Sequence, residues 1–454
     1  MMYTQEQVLW MEQILEERYG FKITINKELN DSISLSIRNS KNRIYIVSDS
    51  KTFSKGEKNL SYSLWKNNKD WQMPLKKNLP LIGAKKLEKN DKIIHKSENH
   101  YFFNYDILGL LFWKLTRQEE IYHHELDEHN RFSASQSHAD KHGYLFRPIV
   151  DEWLDILSQV IKKTWPNEKL KTNNYSLDLS HDVDNPSNFF FKSPASRLKF
   201  IAGDLFKRKD YKSALFGSCV SFISKNELSR NDPLNTFDWI MSESEKLGLK
   251  STFYFVCGNS NKKLDPEYSI FDKPIISLMK RISERGHYIG LHPSYDSFEN
   301  KQMIKKELVS LKEICDKENI EFRYQTRMHF LRWNQSKTLR ILNDIGVKID
   351  SSMGYADKVG FRAGTSFEYP AFDVLNNELL DIRIKPLIAM EVSMFSKKYM
   401  NLNNDKVLEV TKLLRDNCKR FGGKFSLLWH NNNLSKQIEK NLYSQIITER
   451  FKDA

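Results

Sequence analysis

Cysteine, glycine and proline are all scarce in this chain of 454 residues, which holds 4 Cys, 17 Gly and 12 Pro. Cys219, Cys257, Cys315 and Cys418 form no Cys-x-x-Cys pair, and so few in so long a chain build no disulfide framework. They are expected as small buried hydrophobes. The low glycine and proline content excludes collagen-like and low-complexity material. No stretch approaches ~18 uninterrupted apolar residues, so no transmembrane helix is expected. The most apolar region, 102–115, is broken by Asn104, Asp106 and Lys114. The first residues, Met1-Met2-Tyr3-Thr4-Gln5-Glu6-Gln7, lack a basic stretch followed by an apolar run. No secretory signal is therefore expected, and the cytoplasm is the expected location. There is no zinc-finger spacing and no long Lys/Arg block, so no nucleic-acid partner is expected.

What is present is ordinary globular material, 40% hydrophobic and 28% charged. The net charge is +13, from 71 Lys+Arg against 58 Asp+Glu. Such an excess suits an anionic membrane surface or an acidic substrate, or it is simply a diffuse basic surface. Two textures follow one another. Residues 1–170 mix elements irregularly and predict a smaller mixed α/β domain. Thr4 can cap a helix with Val8, Leu9, Met11, Ile14 and Leu15 as its apolar residues. Residues 43–47 read as a strand, and 106–116 and 151–163 as helices. From Asn174 onward strands alternate with amphipathic helices. The strands fall at 175–180, 251–256, 287–292, 322–330, 347–350, 386–392 and 424–430. Between them, Ile304, Leu308, Leu311 and Cys315 share one helix face, Pro274 suits a first helical turn, and Gly286, Gly346 and Gly422-Gly423 suit helix ends. Strand–helix alternation predicts an α/β fold over residues 171–454, a deformed (β/α) barrel of about seven parallel strands. In that architecture chemistry gathers at the carboxyl ends of the strands.

Four predicted strand ends carry the residues that chemistry would need. The first ends in His181-Asp182-Val183-Asp184. The third ends in His292, followed by Pro293-Ser294-Tyr295-Asp296. The fourth ends in Arg327-Met328-His329-Phe330 and the last in Trp429-His430. Water is a poor nucleophile at neutral pH, but a divalent metal lowers its pKa and a carboxylate can then take its proton. Such a metal takes His nitrogen and carboxylate oxygen ligands and keeps one position open. The attacked carbonyl needs a metal or a backbone N–H for its developing charge, and the leaving group needs a proton from the far side. A lone Asp-x-Asp is usually a turn, and a lone His usually packs. Their coincidence at successive strand ends is what points to a site.

These segments resemble the polysaccharide deacetylases, the NodB-homology domains of carbohydrate esterase family 4, over about residues 174–450. Ser180-His181-Asp182-Val183-Asp184 is similar to the Asp-x-Asp form of the first family motif, which implies Asp182 as catalytic base and Asp184 as metal ligand. Gly286-His287-Tyr288-Ile289-Gly290-Leu291-His292 is similar to the lead of the second motif and implies His292 as ligand, with His287 structural. The family's second histidine is replaced by Asp296. That carboxylate could ligate or could cap the following helix, and His329 and His181 are the reserve third ligands. Arg327-Met328-His329-Phe330 resembles Arg-x-Pro-Tyr, with His329 in place of Pro. The resemblance implies that Arg327 keeps Asp182 ionised and that the Phe330 backbone N–H helps hold the oxyanion. It further implies an orienting role for Asp350, in Asp350-Ser351-Ser352, and a general-acid role for His430, in Ser426-Leu427-Leu428-Trp429-His430.

In the first half, Asp106-Ile107-Leu108-Gly109, the 116–120 and 127–132 segments and Arg147-Pro148-Ile149-Val150-Asp151-Glu152 resemble an uncharacterised domain that precedes some bacterial deacetylase domains. His123-His124-Glu125, with Asp127 and His129, reads as a solvated loop rather than a metal cluster. The expectation is a metal-dependent hydrolase removing an acetyl group, N-acetyl first, from a sugar in cell-surface glycan biosynthesis. Zinc is the first choice of metal, with nickel, cobalt or iron also suited to a His/Asp site. The expected substrate is an acetylated sugar, a nucleotide sugar or a lipid-linked glycan, with peripheral membrane contact. The alternatives are hydrolysis of a non-sugar C–N amide bond and an inert glycan-binding protein on the same fold.

Overall fold

A computed structural model of the chain describes residues 3–29, 31–53, 59–66, 70–84, 92–121, 125–209, 211, 215 and 226–449. Cys219, His123 and His124 lie outside the described residues. Among the other cysteines, Cys315 and Cys418 are buried and Cys257 is half-buried.

The first helix, Gln5–Tyr19, starts where Thr4 and Gln7 form a reciprocal capping box and stops at Gly20 in the left-handed region. It buries Val8, Trp10, Met11, Ile14, Leu15 and Tyr19, whereas Leu9, expected on that face, is 50% exposed. Among the described residues seven strands follow: β1 (Thr24–Lys27), β2 (Ser32–Ser36), β3 (Ile44–Val47), β4 (Tyr62–Trp65), β5 (Leu79–Ile82), β6 (Ile94–Ser97) and β7 (His100–Phe103). Five of them form a sheet in the order β1-β2-β3-β7-β6, and β4 and β5 pair separately. Helix Ile107–Leu115 is buried at every residue and is capped by Asp106, which accepts from the Gly109 N–H. It is too short to span a bilayer, and no helix among the described residues is long and apolar enough to cross a membrane. Helix Ile149–Thr164 packs against β3 and β7.

The second half holds β8 (Ser176–Val183), β9 (Thr252–Val256), β10 (Tyr288–His292), β11 (Phe322–Thr326), β12 (Ile349–Asp350), β13 (Tyr369–Asp373), β14 (Glu378–Ile384), β15 (Ala389–Met390) and β16 (Lys424–Leu428). They form one sheet in the order β13-β14-β12-β11-β10-β9-β8-β16-β15. Every neighbouring pair is parallel except β13 with β14. Each of the seven expected strands has a counterpart, but the one expected at 322–330 ends at Thr326 and the one expected at 386–392 is only Ala389–Met390, with a helix beginning at Glu391; the β13–β14 hairpin adds two that were not expected. The expected α/β fold with parallel strands is there, and closure into the expected deformed barrel is not seen among the described residues. Hydrogen bonding runs from β13 to β15 without closing, so the described sheet is open.

Helices supply the crossovers that parallel neighbours require. Lys273–Glu284 buries Ile275, Leu278, Met279 and Ile282, has Pro274 in its first turn, and is followed by Gly286 at φ +77°. Lys301–Lys317 is capped by Asn300 and buries Ile304, Leu308, Leu311 and Cys315. Strand β9, Thr-Phe-Tyr-Phe-Val, is buried at all five residues, as a strand covered on both faces must be. Because the strands run parallel, the carboxyl ends of β8, β10, β11 and β16 open onto one rim.

Candidate metal centre and active site

Three ligand-type side chains meet at that rim. Asp184 stands just past β8, His292 ends β10, and His329 follows β11 by one short turn. One ligand atom from each lies within 4.8 Å of the others. Asp184 Oδ1 is 3.5 Å from His292 Nε2 and 3.7 Å from His329 Nε2. These gaps are too long for hydrogen bonds. They match the roughly 3.4 Å between two donors that each sit ~2.1 Å from one ion at a tetrahedral angle. Asp184 Oδ1 is also buried without a hydrogen-bond partner, an arrangement that costs free energy unless a cation satisfies it.

Both rings are turned to present Nε2. His292 Nδ1 donates to the Arg327 carbonyl, and burial holds this imidazole below the usual histidine range, in the neutral form a ligand needs. His329 Nδ1 is 3.1 Å from Asp265 Oδ1. Burial opposes charge on Asp265, but bonds from His329, the Tyr295 and Asn261 N–H groups and Ser260 outweigh it and bring the carboxyl down to about 2. A fixed anion behind a histidine sets its tautomer and the orientation of its ring. The donors present therefore suit a divalent metal, and Asp184, His292 and His329 could hold one.

Asp296 is not brought into this cluster. It lies in a single turn of 3-10 helix, Tyr295–Ser297, that comes after an extended segment, so it does not share a helical face with His292. Its carboxylate is exposed and accepts from Asn261 Nδ2 at 3.3 Å. It does not cap the next helix either, since Asn300 does. His329, one of the reserve candidates, stands in its place. The other reserve, His181, is a core residue. Its Nδ1 donates to the Trp429 carbonyl at 2.7 Å, its ring stacks on Phe253, and burial pushes it down to about 4.

Two proton-handling pairs flank the cluster. Asp182 Oδ1 accepts from Arg327 Nη1 at 3.0 Å, while its Oδ2 is 3.6 Å from His292 Nε2. Burial would raise this carboxyl, but Arg327, His292 and His430 outweigh it and keep it below the ordinary carboxylate range. Arg327 is itself fully buried, donates to Ser180 Oγ and the Ser351 carbonyl, and lies over the Tyr254 ring. On the other side, His430 Nδ1 is 2.6 Å from Glu391 Oε1, and its Nε2 is 3.6 Å from Asp184 Oδ2. Burial opposes the charged ring, yet Glu391, Asp184 and Asp182 together raise it to about 10.

Asp350 ends β12 and accepts from the Ser352 hydroxyl at 2.5 Å. Burial raises it to about 6. Ser352 Oγ in turn accepts from the Met328 N–H, so Asp350 braces the segment that carries Arg327 and His329. Phe330 has φ 59° and ψ 16°, a left-handed conformation. Asp182, Asp184, His292, His329, Phe330 and His430 all line one cavity of about 230 Å³. Asp265 and Glu391 escaped the sequence reading. Glu391 follows β15 directly, so the strand-end filter could have found it. Asp265 lies in a loop and carries no comparable signal.

The profile of a family of unknown function, DUF7033, matches residues 2–166. No curated protein matches the chain. Among solved structures, a Mycobacterium smegmatis protein provisionally named a polysaccharide deacetylase is similar at 12% identity and a TM-score of 0.39, over 62% of this chain and 85% of that one. A likeness so slight carries neither fold nor activity across.

Proposed function

We propose that the chain is a metal-dependent hydrolase of the polysaccharide-deacetylase type that removes an acetyl group, N-acetyl first, from a sugar. Residues 171–454 carry the chemistry, and residues 1–170 form a covering domain. The observation that supports this most is the lining of one cavity, where Asp182, paired behind with Arg327, and His430, paired behind with Glu391, stand beside Asp184, His292 and His329. A divalent ion held by those three residues would supply Lewis acidity, lowering the pKa of a water and drawing charge from the acyl oxygen. Zinc suits the donor set, as do nickel, cobalt and iron. Asp182 takes the proton of the attacking water, and Arg327 keeps it ionised until then. The Phe330 N–H meets the developing oxyanion. His430 gives its proton to the sugar nitrogen as the C–N bond breaks, leaving acetate and a free amine.

The test is metal content together with acetate release from N-acetylated sugars. Asp182→Asn should lower kcat by about 10²–10⁴-fold and keep its metal, whereas Asp184→Ala and His329→Ala should lose the metal. Protein that takes up no divalent ion, or acetate release indifferent to Asp182, would sink the proposal.

A lipid-linked or nucleotide-linked substrate is supported by charge and by exposed apolar side chains on the segment that follows β8. Leu198, Leu205, Phe206, Tyr211 and Leu215 are exposed there beside the exposed Lys199, Lys207 and Lys209. Such a mixture suits an anionic bilayer surface. The chain should pellet with vesicles rich in phosphatidylglycerol and not with pure phosphatidylcholine, and Phe206→Ser should weaken that. Equal behaviour with both vesicles would remove the membrane from the proposal.

A further inference from the structure

We infer that the first half of the chain supplies a positioning residue to this site, Arg131, which fixes the turn that carries the Phe330 N–H. The inference rests on the reaction proposed above.

The loop around Arg131 is organised by its own carboxylate. Asp127 Oδ1 accepts from the N–H groups of His129 and Arg131, both at 2.9 Å. Asp127 Oδ2 pairs with the Arg131 guanidinium at Nε, 2.8 Å, and at Nη2, 2.7 Å. These two charge-assisted contacts to one oxygen hold the guanidinium against Asp127. Its remaining contacts reach into the second half of the chain. Nη1 donates to the Phe330 carbonyl at 2.8 Å, and Nη2 donates to the Tyr399 hydroxyl at 3.1 Å. Arg131 is 6% exposed and lines the same cavity as Asp182 and His430.

The anchored turn is strained. Phe330 and Leu331 have φ of 59° and 54°, and neither is glycine. Two successive side-chain-bearing residues in the left-handed region persist only where the surroundings over-determine them. Here part of the over-determination comes from residues 127–131. The His129 ring lies 4.8 Å from the Phe330 ring, and His129 Nδ1 is 2.8 Å from the Tyr295 hydroxyl. Arg332 Nε donates to the His129 carbonyl at 3.0 Å. Fixing the Phe330 carbonyl fixes rotation at its Cα, and with it the turn from which the N–H is aimed. An oxyanion donor displaced by a fraction of an ångström loses much of its effect, because the charge it meets is localised. Arg131 itself is poorly suited to bind a substrate anion. Asp127 neutralises it, and each of its nitrogens already has a protein partner.

Arg131→Ala and Arg131→Lys are to be compared with the unaltered full-length protein. The readouts are kcat and KM for acetate release, bound metal, and amide hydrogen exchange across residues 328–333. The expected result for Arg131→Ala is a kcat lowered about 10–100-fold. KM should change less than about twofold, metal content should be unchanged, and exchange across 328–333 should be faster. Arg131→Lys, which can still donate one bond to the Phe330 carbonyl, should recover part of the loss. Unchanged exchange in Arg131→Ala overturns the clamp whatever the activity. Faster exchange with unchanged kcat, or a loss confined to KM or to metal binding, overturns the positioning role in the reaction. If Arg131→Ala does not fold, Asp127→Asn loosens the guanidinium without removing it and is judged by the same readouts. Should the unaltered protein release no acetate, the proposed reaction falls while the exchange result still decides the clamp.

Discussion

A histidine that must give up a proton during turnover has to carry that proton at neutral pH, and in a buried pocket it does so only beside an anion. For His430 that anion is foremost Glu391, at 2.6 Å. Burial alone would push the ring down; Glu391, helped by Asp184 and Asp182, raises it to about 10. The protonated form is therefore present below that value and is lost as pH rises through it. Glu391→Gln removes the strongest stabiliser of the charge, so the alkaline limb of kcat/KM should move toward neutral pH. The acid limb, set by an Asp182 held below the ordinary carboxylate range, should stay where it is. An alkaline limb that does not move would show that His430 is not the acid. Residues of this kind are hard to see in a sequence. Asp182, Asp184, His292, Arg327 and His430 were legible because each sits at or just beyond a strand end. Glu391 and Asp265 act through histidines 39 and 64 residues away, and no spacing rule connects them. Asp296 misled for a related reason. Its distance from His292 suits one helical turn, but the chain there is extended before it turns.

Single strands carry constraints that look like family spelling until the packing is seen. Gly290, in the middle of β10, faces Tyr254 of β9, and a Cβ at that position would stand 2.6 Å from Tyr254 Cε1. Tyr254 in turn underlies the Arg327 guanidinium and bonds the Ser351 hydroxyl at 2.7 Å. One glycine thus leaves room for the ring that supports the arginine that keeps Asp182 ionised. Gly290→Ala should cost about 1–3 kcal/mol in chemical denaturation, by overpacking. It should also lower kcat more than a stability loss of that size explains, because Tyr254 must shift. Full activity in a destabilised Gly290→Ala would break the link from glycine to arginine. At this scale the alternation of strands and helices was well legible, since periodicity is a local property. The β13–β14 hairpin was not, because it pairs antiparallel at the edge of an otherwise parallel sheet and carries no helix between its strands. Closure of the sheet was also beyond the pattern, as alternation fixes strand direction but not whether the two edge strands meet.

The change of texture near residue 170 predicts two domains, yet the two halves share one apolar core. Trp10, fully buried, lies 5.7 Å from the rings of both Phe112 and Phe372, and its Nε1 donates to the Pro370 carbonyl at 2.8 Å. Asp151, also fully buried, accepts from Arg18, Thr365 and the Ser366 N–H. The Arg362 guanidinium pairs with Glu120 at 2.6 Å. None of this was legible, because a residue's partner across a contact leaves no trace in its own neighbourhood of sequence. Such an interface, apolar at its centre and tied by a buried ion pair and by the hydrogen bonds of Asp151, should make the two halves unfold together. Trp10→Ala removes a large side chain and leaves the Pro370 carbonyl without its donor, which should cost about 3–5 kcal/mol. That loss should appear as one shifted transition, with amide exchange of Gln5–Tyr19 and of β13 rising together in denaturant. A first transition confined to the N-terminal helix, with β13 still protected, would instead mean that the first half is a separable cover, and the clamp on Phe330 would then open before the sheet that holds Asp182 does.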